Sequence, residues 1–565
     1  MVRTDHTAEV RMDMGKGVRL DDCRGPCSTR LGSISLISAR REKRRHLSVS
    51  AIATGLAVFG ISAGAVAADV QGVLGRDDIE NAGVAMSKSG QLLEPRISVR
   101  ETWTDNISLA PSGAERSDWV TELSPGIHLR GAGGRIKYDV DYQRSEIFYA
   151  KSSSSRDRQN FLSAFGSIEA IENFFFVDIN GRISQQTISA LGVQPSSTTS
   201  ASSNRTETRQ FSIAPYVRGR MRDFAAYDLR YTAATLRSKG EARFDNDSRV
   251  LEGKISSLED TTLIGWLAEY RNEKNDYADA RDSDYELGRG TISVSSSRQL
   301  RFFARAGWES TNIIPGKDSF FTHGFGLRWL PSERTQLSLE SDQRYFGRAY
   351  VYSFRHRTPR TSWSLLFSRD ASTTNQRLLS GAGGTIFDRL MDILGPTYSD
   401  PTQRADEARR VLSLMGATGQ ETSEAGFLSN QVFIDRRAEA SAAWIGQRNT
   451  FTLTILRTEA NPLLNLLGND GDFGLSPAVK QEGFRLDWVH RFGPLTSLTS
   501  AFDWRKNQGT GASSQDSKLW IMNVFLNRQL GPKTSISAGA RHAKSDSGGD
   551  GYRENAVLAL VTHRF

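Results

Sequence analysis

Eight histidines, two cysteines and a group of arginines are the residues of this 565-residue sequence with types suited to chemistry. His6 and His46 lie near the N-terminus. His128, His323, His356, His490, His542 and His563 are scattered, with no HxH or HxxxH spacing to bring two imidazoles to one metal. Cys23 and Cys27 form a CRGPC pair, and no further cysteine exists to complete a thiolate site. A hydrolase would need a serine, a histidine and an acid on one face near a rim. The best-placed imidazole, His356, sits instead among Arg355, Arg357 and Arg360, whose charge opposes an imidazolium. No catalytic set, metal or cofactor is expected.

The arginines offer anion binding. Arg344, Arg348, Arg355, Arg357 and Arg360 fall within one short stretch, and guanidinium forks match phosphate and carboxylate geometry. The plainer reading is a set of rim arginines that meet lipid head groups or acidic partners such as Asp342. The acidic runs NDYADARDSD (275–284) and GNDGDFG (468–474) lack the spacing of a calcium loop and read as solvated acids. SSTTSASSN (196–204) reads as a flexible surface tract.

The elements that must carry these residues begin with a precursor. Arg40, Arg41, Lys43, Arg44 and Arg45 precede an apolar run from Leu47 to Val66, and Ala65-Val66-Ala67 supplies a processing site. Residues 39–68 therefore read as a signal peptide, and residues 1–38 as a non-native or disordered extension from a start codon placed too far upstream. Formal net charge is +8 for the whole sequence. Residues 1–68 hold 11 Lys+Arg and 6 Asp+Glu, leaving 61 against 58, a net of +3. The basic balance is thus mainly a precursor property, and nucleic acid is not an expected partner.

After a lead at 69–94, alternation with period two runs almost unbroken through 95–565. Ile136, Tyr138, Val140 and Tyr142 share one face against Lys137, Asp139, Asp141 and Gln143. Tyr227, Leu229 and Tyr231 oppose Asp228, Arg230 and Thr232, and Phe484, Leu486 and Trp488 oppose Arg485 and Asp487. Helical periodicity would mix these faces; strand periodicity separates them. Mean hydropathy of −0.44 suits a barrel in which every second residue faces water. Short turns such as GAGG (131–134), PSER (331–334) and GPK (531–533) alternate with long polar loops such as 107–117, 188–206 and 460–478. One rim of tight turns and one of long loops predicts a transmembrane, antiparallel, up-and-down barrel of about 20–22 strands. Val557, Ala559, Val561, His563 and Phe565 line one face of a final strand that ends on an aromatic residue, a pattern similar to the C-terminal signature of bacterial outer-membrane barrels. The expected location is the cell outer membrane, with membrane lipid and the barrel assembly machinery as partners.

One segment breaks the alternation. Within 371–428, Ile386, Phe387, Leu390, Ile393 and Leu394 stand at helical spacing before Gly395-Pro396; Ser399-Asp400-Pro401 then opens a second stripe through Val411, Leu412 and Met415. Two short helices are expected at a long-loop position, with Leu390, Ile393, Val411, Leu412 and Met415 packing together against the barrel mouth and narrowing it.

Four stretches, RISVRETWTDNISLAP (96–111), YFGRAYVYSFRHRTPRTSWSLLFSRD (345–370), DPTQRADEARRVLSLMGATG (400–419) and RRAEASAAWIGQRNTFTLTILRTEA (436–460), resemble the outer-membrane proteins associated with PEP-CTERM/exosortase systems, which are encoded beside exopolysaccharide biosynthesis genes. The resemblance implies a non-enzymatic role in exopolysaccharide export or surface assembly, with polysaccharide export components as partners. It supplies no catalytic residue. A general porin or small-solute channel is the alternative.

Overall fold

The computed structural model describes residues 91–565, except 152–155, 241–243, 259–262, 279, 315–318, 465–470, 512–514 and 548–550; within 380–425 it describes only 387, 391, 403–405, 408–409 and 412. The expected extension 1–38, the expected signal peptide 39–68 and residues 69–90 of the expected lead lie outside the described residues.

Alternating apolar and polar residues favour extended strands whose two faces meet different surroundings. Twenty-two such strands form, from β1 (Gln91–Thr104) to β22 (Tyr552–Arg564), each hydrogen-bonded antiparallel to its neighbour in sequence. β22 pairs with β1, Thr102 opposite Leu558 and Arg96 opposite Arg564, so the sheet closes into an up-and-down barrel with no free edge. Its first strand starts at Gln91, four residues before the sequence pattern suggests. No described helix is long and apolar enough to cross a membrane.

The burial pattern is the reverse of a soluble protein's. Phe321 and Phe325 are 69% and 68% exposed, while Glu309 and Glu554 are each 1% exposed. Outward faces carry Ile179, Phe211, Leu229, Ile292 and Phe484; inward faces carry Asp139, Asp178, Gln210 and Asp503. Several glycines are covered by aromatic rings on the facing strand. A Cβ on Gly131 would come within 2.3 Å of the Tyr138 ring, and one on Gly288 within 2.7 Å of the Trp308 indole, so these rings occupy surface that only glycine leaves open.

One rim consists of short turns; the other carries long connections at 105–117, 188–204, 373–432 and 463–478. One connection on the long-loop rim is itself a tight turn. β13 (Thr335–Arg344) and β14 (Gly347–Arg357), the shortest strands, join at the long-loop rim through Tyr345-Phe346 alone. Gly347, at φ 98°, supplies the left-handed residue this turn needs. The turn also divides the arginine group. Arg344 and Arg348 stand at the long-loop rim; Arg355, Arg357 and Arg360 stand near the opposite rim, roughly 30 Å away along β14.

Candidate functional site in the lumen and its closure

The barrel wall is lined by arginine–carboxylate pairs. Arg230 meets Asp178 at 3.1 Å, Arg271 meets Glu273 at 2.5 Å and also Glu252, and Arg289 meets Glu269 at 2.9 Å. Arg305 bridges Glu340 at 2.8 Å and Asp342 at 3.1 Å, and Arg541 holds Glu554 at 2.8 Å. Arg344, one of the candidate anion contacts, is engaged by Glu309 at 2.7 Å and by Asp370, and donates to the Tyr285 hydroxyl at 2.8 Å. Asp342 serves Arg305 and Arg289 rather than the arginine group near it in sequence. Arg348 faces outward and bonds Ser341 and the Tyr352 hydroxyl. Arg355 is buried on the inner face, and Arg357 and Arg360 are exposed. Charges taken from water must be partnered or stay wetted. The result here is a wall of alternating sign, rich in donors and acceptors and with no large field of one sign.

The long-loop end of this lumen is obstructed from two directions. After β15 (Thr361–Ser372) the chain turns inward as the helix α1 (Thr374–Leu379). The Thr373 hydroxyl accepts from the Gln376 amide, and the Gln376 side chain accepts from the Thr373 amide, a reciprocal cap at the helix start. Gln376 also donates to Glu273 of β9 (Ile264–Tyr277) at 2.8 Å. Arg182 of β5 (Phe175–Thr187) donates to the Leu378 carbonyl, and Gln210 of β6 (Arg205–Met221) to Asn375. β5 lies almost diametrically opposite β15 in the ring, so the insert spans the lumen.

Further along, Arg409 reaches β3 (Ile136–Tyr149). It donates to Asp139 at 2.9 Å and to Asp141 at 3.2 Å, stacks over Phe387 at 5.4 Å, and shares these carboxylates with His128 (3.2 Å) and Arg96 (2.5 Å). Asp139 is the fourth residue of a strand that starts at the short-turn rim. The insert therefore reaches deeper than the mouth where the sequence pattern places it. Phe387, Ala405, Ala408 and Leu412 are buried. Leu390, Ile393, Val411 and Met415 lie outside the described residues.

The loop 188–204 makes the second obstruction. Instead of a flexible surface tract, it is a packed strap across the mouth. Tyr149 and Gln159 donate to the carbonyls of Thr199 and Thr198, Asn507 to that of Ala190, and Tyr552 to that of Gln194, at 2.7–3.1 Å. Ser196 bonds Glu554. Ala190 and Leu191 enter an apolar core with Phe427, Phe433, Phe473 and Val479, in which the three phenylalanine rings lie 5.3–6.1 Å apart. The sequence signal was there, namely Ile188, Ala190, Leu191 and Val193 beside a serine-rich run. Beside the strap, a cavity of ≈480 Å³ opens among Tyr149, Asp157, Gln185, Ser200, Arg205 and Glu207.

Asp472, in the helix α2 (Gly471–Leu475), ties the strap down by accepting from Ser189 and from the Ala190 amide at 2.6 Å. Burial pushes this carboxyl above the ordinary value of 3.8, against the lowering effect of the Ser189 hydroxyl and the backbone amides of Ala190 and Leu191. Ionised Asp472 is thus the costlier form in the docked strap. Docking is strongest below pH 3.8 and weakens as pH climbs from there through the raised value. In planar bilayers the fraction of time spent open should rise with pH across that window, and Asp472→Asn should abolish the dependence.

The C-terminal signature residues share the outer face of the last strand. Val557 (58%), Val561 (40%) and Phe565 (62%) are exposed outward, with Ala559 and His563 on the same face. The His563 ring bonds the Thr534 hydroxyl at 2.8 Å, and the Phe565 amide donates to the Pro95 carbonyl across the closing seam.

A closed antiparallel barrel with an apolar outer face, a charge-paired lumen and an inward-folded insert is the class that fold and site define. No family model matches this chain, and no curated protein matches it. Among solved structures it is similar to the siderophore receptor PirA from Acinetobacter baumannii, with TM-score 0.43 and 7% identity over 84% of this chain and 80% of that one. It is also similar to Acinetobacter baumannii OccAB4 (TM-score 0.32, 9% identity, 85% and 100% covered) and to Pseudomonas aeruginosa OprD (TM-score 0.30, 11% identity, 84% and 95% covered). Likeness at this level carries no argument about what passes through the lumen.

Proposed function

We propose that this protein is an outer-membrane barrel that conducts a hydrophilic substrate through a lumen closed from its long-loop side, and that it serves exopolysaccharide export or surface assembly rather than catalysis. The observation that carries the conduit reading is the inverted burial combined with an insert fixed to the far wall. Apolar side chains ring the outside, where lipid would cover them; ion pairs line the inside, where water or a hydroxylated solute would meet them. Short turns and long loops on opposite rims orient the long-loop side outward. The polysaccharide assignment rests on the sequence resemblance alone. A general porin shares the lumen but has no use for a mouth closed by both strap and insert.

The test has two parts. The folded protein should fractionate with the outer membrane and migrate anomalously on gels until heated; recovery as a soluble periplasmic protein would end the conduit reading. Deleting the gene should lower secreted polysaccharide. Unchanged polymer with reduced uptake of small sugars would favour the porin.

A further inference from the structure

The lumen and its closure make no use of the outer face of β19 (Thr496–Gly509), β20 (Asp516–Gly531), β21 (Thr534–Ser547) and β22. Near the long-loop end each of these strands turns one cation outward: Lys506, Lys518, Lys544 and Arg553. Cations stand directly opposite one another here, as they also do at Arg209–Arg237 and Arg249–Lys274 on the other side of the barrel. Lys506 stands directly opposite Lys518, and Lys544 directly opposite Arg553. Lys518 pairs with Asp546, which puts it diagonal to Lys544 on the same face. Directly opposed side chains have Cβ atoms about 5 Å apart and diagonal ones about 7–8 Å, so like charges in these positions destabilise the sheet.

Acidic neighbours compensate poorly. Among the described residues Lys506, Lys518 and Arg553 take part in no ion pair, and Lys544 reaches Asp546 only at 3.7 Å, where the acid is 61% exposed. The two other nearby acids are engaged elsewhere: Asp516 accepts from Gln508 at 2.9 Å, and Asp105 accepts from the Asn555 side chain at 2.6 Å. On the other side of the same rim the arginines of the opposed pairs do hold acids: Arg237 meets Asp247 at 2.7 Å and Arg249 meets Asp276 at 3.4 Å, while Lys274 stands as far from Asp284, 3.7 Å, as Lys544 from Asp546. Directly towards the short-turn side of the four cations stand Trp504 and Trp520, the latter 4.9 Å from the His542 ring. Indoles there mark the level at which an apolar band gives way to head groups.

We propose that Lys506, Lys518, Lys544 and Arg553 form a docking surface for the headgroup of an outer-leaflet glycolipid bearing two phosphates. The acyl chains lie on the apolar faces of β19–β22, the sugar headgroup sits at the tryptophan level, and the phosphates relieve the two like-charge pairs. Charge complementarity selects this occupant. Repulsion between opposed cations is removed by a multivalent anion, and a lipid supplies one at a fixed height. The inference rests on the membrane reading above.

The test uses the full-length barrel in detergent micelles and scores folding independently by heat-modifiable migration, so that its failure leaves the membrane reading standing. Diphosphoryl lipid A should raise the unfolding midpoint of the wild type and remain bound in native mass spectra. Phosphatidylglycerol, with one phosphate, should give a clearly smaller shift. The quadruple variant Lys506→Gln, Lys518→Gln, Lys544→Gln, Arg553→Gln should bind diphosphoryl lipid A at least about tenfold more weakly. With the repulsion removed, it should unfold no earlier than the wild type when lipid is absent. Arg237→Gln with Arg249→Gln and Lys274→Gln, on the other side, should bind as the wild type does. Equal shifts in the quadruple variant and the wild type, or equal shifts from phosphatidylglycerol and diphosphoryl lipid A, would overturn the proposal.

Discussion

Replacing residues 380–425 with a short Gly/Ser linker should raise single-channel conductance about tenfold, because barrels of this strand number enclose a lumen that leaks unless something fills it. Taking standard strand spacing and tilt, 22 strands make a ring roughly 140 Å around, enclosing a wide span that narrows where α1, six residues long, reaches β5 and β6. Side chains of the wall cannot fill that span. The insert crosses it, held at Glu273, Arg182 and Gln210 near its start and at Asp139 and Asp141 further on. The excision leaves α1 and the strap in place, so the measurement isolates the deeper part of the insert. If planar-bilayer recordings show the shortened barrel conducting no better than the intact one, the excised part does not block the lumen and closure belongs to α1 and the strap.

Arg409→Ala should have the next largest effect, and it leaves the insert itself present. Breaking one side of a buried charge pair costs about 3–5 kcal/mol. The Arg409 side chain is 18% exposed, and Asp139 and Asp141 keep His128 and Arg96 as partners, so about 2 kcal/mol is the fitting figure after screening. That corresponds to roughly a 30-fold shift from latched to released insert. Brief opening events should multiply accordingly in bilayer recordings. Asp139→Asn should act in the same direction, and the double variant should add little to either single one, since both remove the same contact. Additive effects would show that Arg409 and Asp139 act separately.

The strands were legible because each is a local pattern. The two faces of Ile136–Gln143 or Phe484–Asp487 differ in polarity every second residue, and no distant contact is needed to see it. The site was not legible in the same way. Arg409 and Asp139 are 270 positions apart, and nothing in either neighbourhood names the other. The strap hid for a related reason: its few apolar residues stand beside serine and threonine, and they form a core only when Phe427 and Phe473 arrive from two other connections and Phe433 from the start of the strand that follows the first of them. The arginine group read as one cluster because spacing along the chain ignores a two-residue turn. Tyr345-Phe346 sends β14 back across the barrel wall and puts its members at opposite rims.

The seam between β1 and β22 also sets an order of events. The ring cannot exist until the last strand has been delivered, and the strap takes two of its anchors, Tyr552 and Glu554, from that strand. Ser196 must find a partner 358 residues later in the chain. Contacts of such separation form late, since the loop between them must be closed before they contribute. The strap therefore shuts only over a finished barrel, and a half-assembled one is left open to solvent. Obstruction thus doubles as a check on completion, made by the chain's own final residues.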